Sequence, residues 1–170
     1  MTARQTVLVT GGAGFIGSHC CKALSAAGHV PVVYDNLVYG HRSAVKWGPF
    51  IEGDVSDRPR LVSTMREFGV TAVMHFAAYA YVGESVRNPS KYFQNNVVNA
   101  LTLLDAMLQA EVRQIVFSST CATYGVPTAI PIREDTPQQP VNPYGETKFM
   151  IERALHWYGK AYGLKACSLR

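Results

Sequence analysis

The amino-acid sequence predicts an α/β fold in which a parallel sheet is doubly wound, with helices on both faces. Two observations support this prediction. Short apolar runs of strand length alternate with longer segments of helical periodicity along the chain. The first apolar run also leads directly into a glycine-rich turn at residues 11–17 and then into a helical segment. Such alternation is typical of right-handed crossovers between parallel strands.

Six strands are predicted. The first is an uninterrupted, mostly β-branched run, the third is short and precedes the turn at Gly53-Asp54, and the sixth alternates polar and apolar residues. The predicted strands cover residues 5–10, 29–34, 50–52, 71–78, 114–118 and 165–169.

Four helices are predicted between these strands. The first follows the glycine turn and ends at Gly28, and the third carries apolar residues at helical spacing. The predicted helices cover residues 18–27, 57–68, 89–110 and 142–162.

Composition is consistent with one domain over residues 1–170. The chain has 170 residues, of which 48% are hydrophobic and 16% charged, enough for one well-buried core. Its formal charge of +4 comes from scattered basic residues without a basic stripe, so no nucleic-acid partner is expected. No apolar run approaches the roughly 18 residues of a membrane span, so no membrane partner is expected either.

Cysteine usage and the end of the chain give two further expectations. The 4 cysteines have neither CxxC nor metal-ligand spacing, so we expect no metal site and mostly buried, reduced thiols in a cytoplasmic protein. The chain stops within the sixth predicted strand. We therefore expect a truncated dinucleotide-binding domain of a longer protein, without the substrate-binding part that would follow.

The glycine turn predicts a site for a dinucleotide. Its pattern is GxxGxxG, a variant of the GxGxxG fingerprint of Rossmann folds. Glycines permit a tight turn and close backbone approach to a pyrophosphate, and a helix N-terminus offers unpaired N–H groups. The pyrophosphate is therefore expected near Gly14.

An acidic residue follows the second strand at the expected distance. Asp35 lies 18 positions after Gly17, near the roughly 20-residue offset of the acid that binds the adenosine ribose. A carboxylate there accepts hydrogen bonds from ribose hydroxyls and repels a 2′-phosphate, which favours NAD over NADP. His41 and Arg42 would weaken that preference. Alone, Asp35 is equally well interpreted as a turn residue beside Asn36.

The fourth helix carries a possible catalytic pair. Tyr144 and Lys148 lie one turn apart on one helix face, and Thr120 follows the fifth strand at its carboxyl end. Oxidation of a secondary alcohol requires a base for the hydroxyl proton as hydride leaves. Lowering the pKa of a tyrosine from about 10 toward 7 requires about 4 kcal/mol. A lysine ammonium about 4 Å away supplies about that much at a dielectric near 20, so Lys148 is expected to activate Tyr144, while Thr120, or less favourably Ser119, binds the reacting oxygen.

Several motifs together resemble the extended short-chain dehydrogenase/reductases and, within them, the UDP-glucose 4-epimerases. They cover essentially the whole chain in consistent order: TGGAGFIG at 10–17, YDN at 34–36, HFAA at 75–78, VGESV at 82–86, NNV at 95–97, FSSTCATYG at 117–125 and NPYGETK at 142–148.

The resemblance implies a role for each matching residue. Tyr144 is the base, Lys148 its partner, and Thr120 the assisting hydroxyl. Tyr144 and Lys148 also contact NAD, and the implied cofactor-binding residues are Gly11, Gly14, Phe15, Ile16, Gly17, Asp35, Asn36, Asp54, Val55, Phe76, Ala77, Ala78, Asn96 and Ser118. In this family NAD stays bound while the 4-hydroxyl of a UDP-sugar is oxidised, the 4-keto sugar turns over, and hydride returns to its other face. The implied partners are a UDP-sugar and, through helices around Asn99 and Glu152, a second copy of the chain.

Departures from the family pattern keep alternatives open. Residues 79–81 read Tyr-Ala-Tyr where many relatives carry a lysine. The sequences at 78–83 and 120–125 are similar to those of UDP-arabinose/UDP-xylose 4-epimerases, so a pentose substrate is an alternative. A nucleotide-sugar dehydratase needs an Asp-Glu pair where Cys121-Ala122 stands, and a truncated NAD-binding module without turnover is the third alternative. His75 is interpreted as structural. Glu84 and Ser85 are interpreted equally as sugar-site or helix-capping residues.

Overall fold

The computed structural model describes residues 4–170 and contains a six-stranded sheet with the order β3-β2-β1-β4-β5-β6. All neighbouring strands are parallel, with Val9 of β1 opposite Val33 of β2 and Met74 of β4. The strands are β1 (Thr6–Thr10), β2 (Val30–Asp35), β3 (Phe50–Glu52), β4 (Ala72–His75), β5 (Gln114–Ser118) and β6 (Lys165–Leu169). The predicted doubly wound α/β fold is confirmed.

Helices connect these strands. They are α1 (Phe15–Ala26), α2 (Arg58–Glu67), α3 (Val82–Arg87), α4 (Pro89–Tyr92), a π-helical segment (Phe93–Val98), α5 (Asn99–Gln109) and α6 (Pro143–Tyr162), with single 3₁₀ turns at Arg42–Ala44 and Cys121–Tyr124. Asp57 and Asn142 cap α2 and α6 through their side chains, each followed by a proline in the first turn.

Three predicted elements differ from the structure by more than one residue at an end. Helix α1 begins at Phe15 rather than residue 18, because the glycine turn leads into the helix without an intervening linker. Strand β4 ends at His75 rather than residue 78, because the chain turns away from the sheet there. The predicted helix at 89–110 is divided by the π-helical segment, and the short helix α3 was not predicted.

The core has one layer on each face of the sheet. Alternate residues of β1 point to opposite faces: Leu8 packs with α2, α5 and α6, whereas Val7 and Val9 pack toward Cys21 of α1. The larger layer contains Leu61 and Leu104 among other fully buried side chains. Burial on both faces explains why the strands read as continuous apolar runs.

The strand order creates a crevice at the carboxyl edge of the sheet. Strand β1 lies between β2 and β4, and the chain continues outward in opposite directions from this point. In open α/β sheets ligands bind at this switch point, outside the carboxyl ends of the strands. The loops after β1, β2, β4 and β5 therefore surround the expected site.

The burial of the cysteine thiols agrees only in part with the prediction. All four cysteines are free, but only Cys21 is buried and Cys20 half-buried, whereas Cys121 and Cys167 are exposed. The expectation of mostly buried thiols is therefore wrong, because Cys121 follows β5 in a surface turn and β6 is a sheet edge. Among residues 4–170, no helix has the length and apolar character that a bilayer crossing requires.

His75 is a structural residue of this core. Its ring is 3% exposed, its Nδ1 lies 2.6 Å from Thr10 Oγ1, and it stacks on the Phe117 ring. Burial, and secondarily the charge of Lys148, lowers the pKa of His75 to about 3. The folded chain therefore holds a neutral imidazole in moderate acid.

Acid should destabilise the chain through His75. Between pH 6.5 and 3 the unfolded chain binds a proton at this histidine that the folded chain does not bind. The free energy of unfolding therefore decreases as the pH is lowered. Relative to a His75→Asn variant, the free energy of unfolding of the unaltered chain should fall by up to about 1.4 kcal/mol per pH unit in this range. Urea unfolding measured from pH 8 to 4 tests this. Parallel pH curves for the two proteins would contradict it, and His19→Asn, at an exposed histidine, is the control.

Candidate functional site

The glycine turn is shaped by its lack of side chains. Gly11 has a φ of 72°, and a Cβ there would lie 2.6 Å from the Ala77 backbone nitrogen. A Cβ on Gly17 would lie 2.2 Å from the Gly11 carbonyl oxygen. Any larger residue at either position would push α1 or the loop after β4 away from the turn.

The first turn of α1 presents N–H groups at this edge of the sheet. Gly14 caps the helix without a side-chain acceptor, and the first turn contains no acidic residue. Phe15 and Ile16 begin the helix with exposed side chains. An anionic group can therefore approach the helix N-terminus directly.

An acidic pair lies on the β2 and β3 side. Asp35 accepts hydrogen bonds from the backbone N–H groups of Ala13 and Leu37, so its carboxylate both orders the turn and faces the crevice. Asn36 donates to an Asp54 carboxylate oxygen at 2.7 Å. Burial alone would raise the pKa of Asp54, but hydrogen bonds from Ser56 and Asn36 outweigh it and hold that pKa below its usual value.

These features line one cleft of about 670 Å³, open to solvent. It is lined by predicted cofactor-binding residues from the loops after β1 to β4, together with residues that sequence reasoning did not place at the site. The former are Gly11, Gly14, Asp35, Asn36, Asp54, Val55, Phe76, Ala77 and Ala78; the latter are Tyr34, Val38, Tyr39, Gly40, Gly53, Tyr79, Asn95 and Asn99. Among the predicted cofactor-binding residues, the following lie outside the cleft lining: Phe15, Ile16, Gly17, Asn96, Ser118, Tyr144 and Lys148.

Three polar groups meet beside the end of β5. The Thr120 side chain lies near that of Tyr144 and favours the ionised form of its phenol, and Thr120 also caps the 3₁₀ turn that follows it. The Lys148 Nζ donates to the Ser118 carbonyl oxygen at 2.9 Å and lies 5.9 Å from the Tyr144 ring centre. The predicted catalytic residues are therefore neighbours in space.

Their electrostatics correct one expectation. Burial raises the pKa of Tyr144, the Thr120 side chain partly offsets this, and Lys148 is not among the causes of the shift. Burial lowers the pKa of Lys148, which is 3% exposed, to about 8. Within the described chain, Lys148 does not lower the pKa of Tyr144 as expected, because its ammonium is bonded to the Ser118 carbonyl and carries its own desolvation penalty.

Helix α3 positions the start of α6. The buried Ser85 hydroxyl accepts a hydrogen bond from the Tyr144 backbone N–H at 3.2 Å and donates to the Val82 carbonyl. The Glu84 carboxylate accepts from Lys91 at 2.7 Å and from the Tyr92 hydroxyl at 2.8 Å. In this structure both residues support helix geometry, one of the two interpretations left open above.

Asn96 lies buried between the loop after β4 and α6. It is 1% exposed, and its amide bonds both the N–H and the carbonyl of Tyr79 and also the Thr147 hydroxyl. It therefore links the loop after β4 to α6, adjacent to Tyr144. The loop position of Tyr79 depends on this amide, which makes Asn96 a positioning residue.

Glu152 and Arg170 form a second support that sequence reasoning missed. The Glu152 side chain is 7% exposed; it accepts from Arg170 at 2.7 Å, from Gln138 at 3.1 Å and from the Ser119 hydroxyl. Ser119 precedes Thr120, so this network fixes the loop after β5. The only sequence signal was the position of Glu152 one helical turn after Lys148.

Comparisons with known proteins agree with this geometry. Residues 7–170 match the family model described as "Epimerase: NAD dependent epimerase/dehydratase family". A UDP-glucose 4-epimerase of Rhizobium meliloti is 51% identical over 166 residues, which cover 98% of this chain and 51% of that protein. The chain spans about half the length of the curated relatives it matches.

Solved structures are similar as well. The crystal structure of UDP-glucose 4-epimerase from Brucella ovis in complex with NAD has 55% identity and a TM-score of 0.96, covering 98% of this chain and 51% of that chain. The UDP-glucose 4-epimerase from Stenotrophomonas maltophila with bound NAD and formylated UDP-arabinopyranose has 38% identity and a TM-score of 0.95, covering 98% and 52%.

Raising the pH should increase the free energy of unfolding through the buried Lys148. Between its folded pKa of about 8 and the ordinary value of 10.5, the unfolded chain holds a proton that the folded chain has released. Relative to Lys148→Met, the free energy of unfolding of the unaltered chain should therefore rise by up to about 1.4 kcal/mol per pH unit. Denaturant unfolding from pH 7 to 10.5 measures it, with the exposed Lys160→Met as matched control. A constant difference between the two proteins would refute this.

Proposed function

Because the chain belongs to the NAD dependent epimerase/dehydratase family, we propose that it is the NAD-binding and catalytic part of an isomerase that inverts the 4-hydroxyl of a UDP-sugar. UDP-glucose and UDP-galactose are the proposed substrates, interconverted through a transient 4-keto sugar. The meeting of Thr120, Tyr144 and Lys148 at the end of β5, beside the glycine-lined cleft, is the observation that carries this proposal.

The residues of the cleft fit NAD. The open N–H groups of α1 suit a pyrophosphate, and a Cβ at Gly11 would enter the narrow space between the turn and the loop after β4. Asp35 and Asn36 would hold the adenosine ribose, and Asp54 and Val55 the adenine. The carboxylate of Asp35 favours the unphosphorylated cofactor.

The catalytic groups divide the work on the sugar hydroxyl. When bound, NAD supplies a hydride acceptor at its nicotinamide ring. Tyr144 removes the proton of the 4-hydroxyl, and Thr120 donates a hydrogen bond to the reacting oxygen. Because burial raises the pKa of Tyr144, its proton transfer depends on additional positive charge near its hydroxyl.

Lys148 would supply part of that charge with its ammonium turned toward the phenolic oxygen of Tyr144. Its ammonium has three donors, and the described part of the chain engages one of them, at the Ser118 carbonyl. The remaining donors are available for the cofactor ribose and the phenolic oxygen of Tyr144. After the 4-keto sugar turns over, hydride would return to the other face of its C4 carbonyl while Tyr144 returns the proton to the 4-oxygen, which completes an inversion without net redox change.

A pentose is the second candidate substrate. The Tyr-Ala-Tyr sequence at residues 79–81 is similar to UDP-arabinose/UDP-xylose 4-epimerases. The Stenotrophomonas relative, described as a UDP-glucose-4-epimerase, holds a formylated UDP-arabinopyranose. Two further alternatives have less support: Cys121-Ala122 provides no acid or base for dehydration, and an NAD-binding module without turnover would not need the Thr120–Tyr144 pair.

Homodimerisation and a cytoplasmic location also remain proposals. Glu152 and Asn99 are poor markers for a dimer surface, because Glu152 is bonded inward and Asn99 lines the cleft. Met150 and Trp157 lie two turns apart on α6 and are both exposed, so we propose that face for a second copy. Four free cysteines support a reducing compartment. Light scattering of the chain tests the dimer.

NAD binding tests the proposal directly. Titration of the 170-residue chain with NADH should give saturable fluorescence, and Gly11→Ala should weaken binding by at least 10-fold because the added Cβ meets backbone at 2.6 Å. Gly28→Ala is the control: Gly28 also has a positive φ, of 83°, but a Cβ there meets nothing within 4 Å. Equal NADH affinity in all three proteins would contradict the proposed cofactor site.

Turnover is tested with a polypeptide as long as the curated relatives. We expect the chain joined to the second half of the Rhizobium meliloti relative to interconvert UDP-glucose and UDP-galactose. Tyr144→Phe should lower turnover by roughly 100- to 10,000-fold, the usual contribution of general base catalysis, and leave NADH affinity nearly unchanged. Chromatography of the products measures it, with the exposed Tyr162→Phe as control. Turnover only of UDP-arabinose would select the pentose alternative, and unimpaired turnover of Tyr144→Phe would refute its role.

A further inference from the structure

Three tyrosine rings meet at the mouth of the cleft. Tyr39 comes from the loop after β2, whereas Tyr79 and Tyr81 come from the loop after β4. The ring of Tyr39 packs edge-on against Tyr79 at 5.5 Å and against Tyr81 at 5.7 Å, measured between ring centres. Edge-to-face contacts at this distance are attractive. The two loops are thus joined by side chains as well as by the sheet.

Both loops also contact the glycine turn that lies between them. On the β2 side, the His41 N–H donates to the Ala13 carbonyl at 3.0 Å. On the β4 side, Gly11 approaches the Ala77 backbone so closely that a Cβ would lie 2.6 Å from its nitrogen. The turn, the two loops and the tyrosine contacts therefore form a closed ring of contacts around part of the cleft.

The two halves of this ring are held differently. The Tyr79 backbone is bonded on both sides by Asn96, and the Lys91 ammonium lies 4.5 Å from the Tyr79 ring centre. The Tyr81 N–H donates to the Tyr92 hydroxyl. Among residues 4–170, no group forms a hydrogen bond with the Tyr39 side chain, and Tyr39 is 49% exposed. Opening the ring therefore requires movement of Tyr39 rather than of the loop after β4.

The ring of contacts lies where a dinucleotide would cross the glycine turn. The acidic residues Asp35 and Asp54 lie on the β2 and β3 side of the glycine turn, and Tyr144 lies by the end of β5 on the other side. A ligand that reaches both sides must cross the turn, with its pyrophosphate at the N-terminus of α1. Tyr39 and Tyr79 line the same cleft as Gly11 and Gly14.

We propose that Tyr39, closing against Tyr79 and Tyr81, is a strap that retains the dinucleotide and must open for it to exchange. The strap rests on the proposed NAD binding. Its consequence for an epimerase is that the cofactor reduced in the first half of the reaction remains in place to return the hydride in the second half. The tyrosines thereby act on cofactor exchange and not on the chemical step.

Rates of NADH exchange test the strap. The chain is loaded with NADH, and release into excess NAD is followed by stopped-flow fluorescence; association is measured in the same instrument. Because Tyr39→Ala removes both edge-to-face contacts, it should raise dissociation and association rates alike by roughly 10-fold. Tyr39→Phe keeps the ring and should exchange NADH at the unaltered rate. Tyr162→Ala removes an exposed tyrosine from the end of α6 and is the matched control.

The outcomes separate the strap from the function on which it rests. Unchanged rates in Tyr39→Ala overturn the strap while NADH binding by the unaltered chain upholds the cofactor site. Faster dissociation without faster association also overturns it, because an ordinary contact with the ligand would behave in that way. Failure of the unaltered chain to bind NADH overturns both. Circular dichroism confirms that each variant is folded.

Discussion

The close approach of the glycine turn to its neighbours is the constraint on which the site depends. With hydrogen atoms in place of side chains at residues 11 and 17, helix α1 begins at the end of β1, and the loop after β4 packs against the turn. That approach brings the N–H groups of α1, the carboxylates of Asp35 and Asp54 and the start of α6 to one edge of the sheet. A displacement of a few tenths of an ångström at the turn would therefore be felt at several binding groups together.

Most of the fold was predictable because its signals are local. Strands β1 and β2 are apolar runs of the expected length, and Asp57 and Asn142 mark the starts of their helices as capping residues. Strand β5 and strand β6 begin and end at the predicted residues. The short helix α3 and the π-helical segment were not predictable in this way, because both are held by contacts between distant parts of the chain, such as Ser85 with the backbone of Tyr144.

The proximity of the candidate residues was more predictable from the sequence than their pKa values. Sequence spacing brought Tyr144 and Lys148 to one helix face, but a pKa depends on burial and on every nearby hydrogen bond. The bond from Lys148 to the Ser118 carbonyl is invisible in the sequence, as is the inward direction of Asn96. Glu152 and Arg170, 18 positions apart, become partners only because β6 lies beside β5 and under α6.

The π-helical segment has a mechanical consequence. An α-helix turns by about 100° per residue, so the additional residue that a π turn accommodates changes the angular phase between α4 and α5. Upstream of it, Tyr92 faces Tyr81, and within it Asn96 faces Tyr79. A regular helix would keep one of these two attachments and rotate the other away. The segment thus sets the rotation of α4 relative to α5. A chain shortened by one residue there would lose one of the two hydrogen-bonded contacts to the loop after β4.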